Sequence, residues 1–97
     1  MQDILRGAVR LHVLHHAAEA PLHGAWMAAE LAAHGYRISP GTLYPTLHRM
    51  EEEGLLTSTH EVADGRRRRV YCATAKGRRT LQAMRVALRE LADEVLD

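Results

Sequence analysis

Residues 39–56 read SPGTLYPTLHRMEEEGLL and carry the signals of a helix with one apolar side. Ser39 is a favoured N-cap residue, Pro40 suits the first helical position, and Gly54 is typical of a helix end. The apolar residues between them recur at spacings of four and three, which places them on one side of a helix. They are Leu43, Leu47 and Met50. The segment therefore predicts a helix that begins near residue 40 and ends at Gly54.

Pro45 interrupts this pattern, because a proline inside a helix lacks the backbone N–H and clashes with the carbonyl four residues before it. The helix therefore either begins later, near Gly41, or kinks at Pro45. In both cases the residues opposite the apolar side face outward, and they are Thr42, Pro45, Thr46 and Arg49. This outward side is short and polar and contains one guanidinium group, so it fits the major groove of duplex DNA.

Two more helices are predicted before this segment. The first covers residues 3–18, and the second runs from about His23 to His34, with Gly35 as its end. The apolar surface of the first helix is wide, and its members are Ile4, Leu5, Ala8, Val9, Leu11 and Val13, with His15 on the same stripe.

A β-hairpin is predicted after Gly54, because the pattern changes to a period of two and Asp64-Gly65 stands between two such segments. A two-residue turn there predicts four cross-strand pairs: Ala63 with Arg66, Val62 with Arg67, Glu61 with Arg68, and His60 with Arg69. Only Arg68 gains an acid directly opposite, so the hairpin does not neutralise the other arginines.

Positive charge is concentrated on this hairpin and the segment that follows it. The net charge is only +1, but residues 66–79 hold seven basic groups and no acid, whereas residues 51–65 hold five acids and no base. Such a run attracts phosphate groups even in a nearly neutral protein, although a solvated surface is the simpler alternative. The sequence therefore favours a nucleic-acid partner without requiring one.

A last helix is predicted over residues 75–97, with Thr74 as its N-cap. Its apolar residues recur at spacings of three and four, which is the pattern of a coiled-coil seam. They are Leu81, Met84, Leu88, Leu91 and Val95. A domain this small has little else to cover such a seam, so we expect this helix to form a dimer.

The order of helix, helix, turn, helix, hairpin and helix is that of a winged helix-turn-helix, a mainly α fold with a small β-hairpin. Residues 1–74 would form this DNA-binding domain, and residues 75–97 the dimerisation helix. Residues 35–56 closely resemble the recognition-helix signature of the PadR-like transcriptional regulators. Residues 65–77, GRRRRVYCATAKG, resemble the wing of the same family and its entry into the C-terminal helix.

The resemblance implies a homodimeric bacterial transcription factor, usually a repressor, that binds a pseudo-palindromic operator in double-stranded DNA and often responds to a small molecule or a stress signal. The chain resembles the short form of the family, with one C-terminal helix. The positions that match the family's DNA-contacting ones are Ser39, Gly41, Thr42, Tyr44, Pro45, Arg49, Arg66 and Arg68. For Tyr44, a ring in the core is an equal alternative. Arg67, Val70 and Ala73 depart from the family's wing pattern.

Several residues suggest a regulatory input, each with a plainer alternative. His12, His15 and His16 have a spacing that can hold a metal, but no nearby acid or cysteine completes the set, so no metal or cofactor is predicted. Cys72 is either a redox sensor or an inert buried thiol. Trp26 either lines an effector pocket or anchors the core. A metal- or redox-responsive regulator is therefore an alternative within the same class.

Composition narrows the remaining classes. The 97 residues suffice for one domain, and one cysteine favours a reducing, cytoplasmic location. We expect neither export nor membrane insertion, because the chain has no leader pattern and no apolar run of membrane length. No catalytic set can be assembled, so an enzyme is not expected. The main alternative from another class is a winged-helix module whose arginines contact an acidic protein.

Overall fold

The computed structural model describes residues 2–96, which form four helices and one three-stranded antiparallel sheet. The helices are α1 (Gln2–Glu19), α2 (Gly24–Ala33), α3 (Pro40–Glu52) and α4 (Ala75–Val95). The strands are β1 (Leu22–His23), β2 (Leu56–Ala63) and β3 (Arg66–Ala73), arranged in the order β1-β3-β2. This is the winged helix-turn-helix order that the sequence predicts.

The two-residue strand β1 was not expected from the sequence. Leu22 pairs with Tyr71, and His23 pairs with Val70, so β1 adds a third strand to the hairpin. Helix α2 then begins one residue later than predicted, because His23 acts as its N-cap and accepts a hydrogen bond from the Trp26 backbone N–H through Nδ1 (3.3 Å). The start of α2 is therefore attached to the base of the wing.

All four helices contribute to one aliphatic core. The buried side chains of α1 are Val9, Val13, Leu14 and Ala17; those of α2 and α3 are Met27, Leu31, Leu43, Leu47 and Met50; the rest are Leu22, Leu55, Leu56, Tyr71 and Leu81. The apolar surface of α1 is narrower than predicted at its N-terminal end, because Ile4 is 72% exposed and Leu5 is 44% exposed. The core-facing side of α1 therefore begins at Val9.

Helix α3 starts at Pro40 and continues through Pro45, so the later start near Gly41 was wrong. The backbone N–H groups of Thr42 and Leu43 both donate to the Ser39 carbonyl, which defines the first turn. Ser39 occupies the N-cap position, but its hydroxyl donates to the Thr42 hydroxyl (3.3 Å) and does not cap the backbone. Pro45 cannot donate a hydrogen bond to the Gly41 carbonyl, and both Gly41 and Pro45 are exposed.

The predicted hairpin register is confirmed at all four pairs, from Ala63 with Arg66 to His60 with Arg69. Asp64 and Gly65 have φ values of 53° and 75°, as a two-residue turn of type I′ requires. The hairpin tip, with its arginines, therefore has a defined geometry relative to the sheet.

The start of α4 joins the wing to the end of α3. The Thr74 hydroxyl accepts from the Gly77 N–H (2.9 Å), as predicted for an N-cap, and donates to the Gly54 carbonyl (2.6 Å). The Thr74 N–H donates to the Leu55 carbonyl (3.1 Å). Because these bonds link three elements within a few residues, they fix the direction in which the wing leaves α3.

The second half of α4 extends away from the core, and the molecule is 51 Å in its longest dimension. Leu81 is 3% exposed and Met84 is partly buried, whereas Leu88, Leu91 and Val95 are at least half exposed. Within one chain, the core therefore covers only Leu81 and Met84 of the predicted seam. None of the described helices is both long enough and apolar enough to span a membrane.

Candidate nucleic-acid interface

The outward side of α3 has the composition that the sequence predicts. Leu43, Leu47 and Met50 are fully buried. Gly41, Thr42, Pro45 and Arg49 are exposed, and Thr46 is partly buried. Within residues 2–96, the Arg49 guanidinium makes neither a hydrogen bond nor an ion pair, so it is available to an acceptor outside the chain.

Tyr44 belongs neither to the core nor to the free outward side. Its side chain is 48% exposed, so the alternative of a core ring was wrong. The ring lies against Gly24, the first residue of α2, and a Cβ atom added to Gly24 would stand 2.8 Å from the Tyr44 hydroxyl oxygen. Any side chain at Gly24 would therefore displace the ring. At 48% exposure, Tyr44 remains accessible to a partner outside the chain.

A groove of about 680 Å³ runs between the first half of α1 and the outward side of α3. Four arginines line it, and they are Arg6, Arg10, Arg37 and Arg49. Arg10 is paired with Glu53, whereas Arg6 and Arg37 make no ion pair within the described chain. The sequence analysis did not single out Arg6 or Arg37, because they lie far apart in sequence from the arginine run. Their shared position with Arg49 extends the positive surface from α3 to α1.

The wing contains two kinds of arginine. Arg68 is paired with Glu61 across the hairpin, with Nε and Nη2 each 2.8 Å from Oε1. Arg69 approaches Glu51 of α3 at 3.9 Å. Arg66 and Arg67 are exposed and, in the described part of the chain, form no ion pair. The surface pair of Arg68 is weak in water, so Arg68 can still exchange its carboxylate for a phosphate.

Two of the three glutamates at the end of α3 contact neighbouring elements. Glu51 accepts a hydrogen bond from the Ser58 hydroxyl of β2 (2.7 Å), and Glu53 pairs with Arg10 of α1. Glu52 lies 3.8 Å from His48 on the same helix. The contacts of Glu51 and Glu53 indicate that these two residues orient α3 against the wing and α1.

The histidines of α1 have acidic neighbours, contrary to the sequence analysis. Glu19 lies 2.9 Å from His15, and Glu30 of α2 lies 3.2 Å from His16. His34 also contacts Glu30, at 3.1 Å. Burial lowers the pKa of His12, and three neighbouring imidazoles lower it further, while Glu30 raises it; the imidazoles are those of His34, His16 and His15. Glu19 is four residues from His15 on α1, so local spacing could have found it, whereas Glu30 and His34 lie at α2 and local spacing could not.

The remaining candidate residues lie apart from α3 and the wing tip. Trp26 is 44% exposed and lines a largely apolar pocket of about 490 Å³ with Glu19, Pro21 and Leu22, so it is not a core anchor. Cys72 is partly buried on β3, opposite Thr57.

These elements define a winged helix-turn-helix protein, with α3 in the place of the recognition helix and the β2–β3 hairpin as the wing. A family model described as the transcriptional regulator PadR-like family matches residues 13–83. The chain therefore belongs to the PadR-like family of transcriptional regulators. Members of this family are regulators and not enzymes.

Individual relatives agree with this assignment. The chain is 62% identical over 96 residues to Transcriptional regulator Rv3488 of Mycobacterium tuberculosis. The alignment covers 99% of this chain and 90% of that protein. A PadR family regulator from Eggerthella lenta has a solved structure with a TM-score of 0.85 and 33% identity, over 97% of this chain and 83% of that one. The solved structure of a PadR-like regulator from Bacillus cereus has a TM-score of 0.86 and 26% identity, over 96% of this chain and 92% of that one.

Proposed function

We propose that this regulator binds duplex DNA in a sequence-specific manner and represses transcription as a homodimer on a pseudo-palindromic operator. The observation that carries the proposal is the exposed outward side of α3, where the Arg49 guanidinium has no partner within the described chain. Arginine recognises guanine through two parallel hydrogen bonds in the major groove. Because Thr42 and Pro45 are small, α3 can enter the groove deeply enough for Arg49 to reach a base.

Phosphate contacts on both sides of α3 would hold it in register. Arg6 and Arg37 line the groove toward α1, and Arg66 and Arg68 lie at the wing. Such contacts set orientation without reading sequence. The first turn of α3, with Ser39 and Gly41, adds backbone N–H groups that suit a phosphate. The proposed DNA surface therefore combines one base-reading side chain with several positioning ones.

Dimerisation would place two copies of α3 in successive major grooves, about 34 Å apart. The exposed apolar residues of α4 support this arrangement, because Leu88, Leu91 and Val95 continue a seam that starts at Leu81 inside the chain. We propose residues 1–74 as the DNA-binding domain and residues 75–97 as the dimerisation helix, of which Asp97 lies outside the described residues. The first turns of α4 also pack in the core of the domain.

We further propose that a small molecule or a stress signal changes the angle between the two DNA-binding units. The apolar pocket beside Trp26 is a place for such an effector, since it lies at the junction of α1 and α2. Oxidation of Cys72 is a second route to the same change. A protein with this role acts on chromosomal DNA, which implies a cytoplasmic location.

The test is a fluorescence-anisotropy titration on the DNA upstream of the protein's own gene and on a scrambled duplex, at several salt concentrations. Arg49→Ala should weaken binding to the operator by about 1–3 kcal/mol and leave the scrambled duplex nearly unaffected. Arg66→Ala/Arg68→Ala should weaken both duplexes alike and reduce the salt slope by about two. Arg89→Ala is the matched control, because Arg89 is exposed on α4, away from α3 and the wing.

The outcomes separate the two classes of function. Selective binding that Arg49→Ala reduces and Arg89→Ala leaves unchanged supports the DNA-binding regulator. Equal, weak binding of wild-type protein to both duplexes, together with salt-sensitive binding to an acidic protein, would instead favour the protein-binding module. Identical effects of Arg49→Ala and Arg89→Ala would remove Arg49 from the interface.

A further inference from the structure

Two pairs of side chains, of types that can bind metal ions, face each other between α1 and α2. His12 and His16 are four residues apart on α1, and Glu30 and His34 are four residues apart on α2, so each pair lies on one side of its helix. The ring centroids of His12 and His34 are 4.9 Å apart, which shows that the two sides meet. Three imidazoles and one carboxylate therefore lie together, from two elements that are separate in sequence.

Glu30 is the point on which two of the imidazoles converge. His16 Nε2 lies 3.2 Å and His34 Nε2 lies 3.1 Å from the same oxygen, Glu30 Oε2. Ligand atoms about 2.0–2.2 Å from a tetrahedral metal ion stand about 3.3 Å from one another. The nitrogen-to-oxygen distances are thus already close to those that a shared ion requires. A shared ion would replace these two imidazole–carboxylate contacts, and the side chains would rotate to bring the ring nitrogens of His16 and His34 closer together than they are here.

The neighbouring pair, His15 and Glu19, is less suited to hold the ion, although one ligand atom of each lies within 4.8 Å of one from His16. The Arg85 guanidinium of α4 is 3.1 Å from His15 Nδ1. Arginine is only a donor, so Nδ1 accepts and the proton of a neutral His15 is on Nε2. That Nε2 lies 2.9 Å from Glu19, to which it donates. Both His15 nitrogens are therefore engaged in a contact that joins α1 to α4.

Aromatic rings border the remaining four side chains. Trp26 meets His16 edge-on with centroids 5.2 Å apart, and Tyr36 meets His12 in the same way at 5.3 Å. The side chains of His16 and Glu30 are only 18% and 27% exposed, so the site is sheltered from bulk water on these sides. His34 is half exposed and leaves a route by which an ion can enter.

We propose that His12, His16, Glu30 and His34 bind one divalent transition-metal ion of the Zn²⁺ class. Imidazole nitrogens suit Zn²⁺, Co²⁺ and Ni²⁺, whereas Ca²⁺ and Mg²⁺ require sets of oxygen ligands that this site does not offer. The ion joins the second half of α1 to α2. This site stands independently of the proposed DNA-binding function, because none of its ligands lies on α3 or the wing.

The experiment is a titration of metal-stripped, full-length protein with Co²⁺, followed by visible absorption and by the fluorescence of Trp26, the sole tryptophan. We expect tetrahedral Co²⁺ bands and quenched Trp26 fluorescence that both saturate at one ion per chain, and displacement of Co²⁺ by Zn²⁺. Mg²⁺ in large excess should not displace it. Zn²⁺ should also raise the Tm of the wild-type protein, since an ion that binds only the folded state stabilises it.

Two variants and one control complete the test. His34→Gln and His16→Gln should each weaken Co²⁺ binding at least about tenfold and abolish the Zn²⁺-dependent rise in Tm. His34 is half exposed, so His34→Gln keeps the test valid even if His16→Gln does not fold. His60→Gln, an exposed position on the wing, should bind as the wild type does. Unsaturable binding, octahedral spectra with equal Mg²⁺ competition, or unchanged affinity in His34→Gln would overturn the proposal.

Discussion

His12 is a half-buried imidazole whose ionisation the fold disfavours. Its pKa lies below the ordinary value of 6.5, chiefly because burial removes solvent from the charged form. The groups that face it come from α1 and α2: three histidines lower its pKa and one carboxylate raises it, and they are His34, His16, His15 and Glu30. Tyr36 completes its surroundings with an edge-on ring. The neutral form of His12 therefore belongs to the folded state.

The lowered pKa of His12 makes the free energy of unfolding depend on pH, because the folded and unfolded chains then bind protons differently. Above the unfolded pKa of 6.5, His12 is neutral in both states and does not change the free energy of unfolding. As the pH falls through that value, the unfolded chain binds a proton that the folded chain resists. Stability is therefore lost progressively until the pH passes the lower, folded pKa.

This loss should be smaller in His12→Gln. With EDTA present, the Tm of the wild-type protein should fall more steeply between about pH 7 and pH 5 than that of His12→Gln, because the variant lacks the group that titrates. His60→Gln is the control, since His60 is exposed on the wing and should leave the slope unchanged. Equal slopes in wild-type protein and His12→Gln would show that other groups govern acid unfolding.

At the scale of elements, the contact between α4 and the loop after α3 depends on the absence of a side chain at Gly77. A Cβ atom there would collide with the Leu55 carbonyl oxygen, a backbone atom that cannot move aside alone. At Gly7 in α1, no described heavy atom outside the adjacent residues and the nearby helix backbone lies within 4 Å of the corresponding position. The two helical glycines therefore provide a matched pair.

Gly77→Ala and Gly7→Ala should change stability in opposite directions. Alanine is normally the better helix residue by about 0.5–1 kcal/mol, so Gly7→Ala should raise the free energy of unfolding by roughly that amount. Gly77→Ala should lower it by about 1–3 kcal/mol, because α4 must shift away from Leu55. Urea denaturation measures both values. A stabilised Gly77→Ala variant would mean that α4 relaxes freely at this junction.

Local sequence patterns were sufficient for the elements whose determinants lie close together in the chain. The buried side of α3 follows from the spacing of Leu43, Leu47 and Met50, and the hairpin register follows from Asp64-Gly65 alone. Both features depend on backbone geometry within a few residues. The exposed position of Arg49 was predicted for the same reason.

Features that depend on distant residues could not be predicted in this way. Strand β1 is only two residues long and exists because β3 offers it an edge. The acid that approaches His16 belongs to α2, and the arginines that join Arg49 in one groove come from α1 and the turn before α3. Each of these contacts is set by the packing of helices, which a period of 3.6 does not specify. The same cause explains why Trp26 lies at a pocket.

For the whole molecule, the exposed apolar side of α4 is the feature that one chain cannot satisfy. Leu88, Leu91 and Val95 are 50%, 54% and 64% exposed, and they follow the coiled-coil spacing from Leu81. Val86 is 66% exposed but lies outside this seam. A second chain that packs along the seam would cover Leu88, Leu91 and Val95 and leave Val86 exposed to water. This difference makes the proposed dimer testable with two substitutions of the same chemistry.

Leu88→Glu should dissociate the proposed dimer, whereas Val86→Glu should not. A glutamate in an apolar interface costs about 2 kcal/mol per chain or more, and two copies cost about 4 kcal/mol per dimer, roughly a thousandfold in the dimer Kd. Sedimentation velocity across protein concentrations should show monomers for Leu88→Glu and dimers for Val86→Glu. Both variants should keep the helical circular dichroism of the wild type, because each residue is at least half exposed in the single chain.

On DNA, Leu88→Glu should lose the tight binding to a full palindrome but retain the weak binding to a half-site, since α3 and the wing are unchanged. A wild-type protein that remains monomeric at all concentrations would contradict the dimer, and equal dissociation by both variants would place the interface on another side of α4.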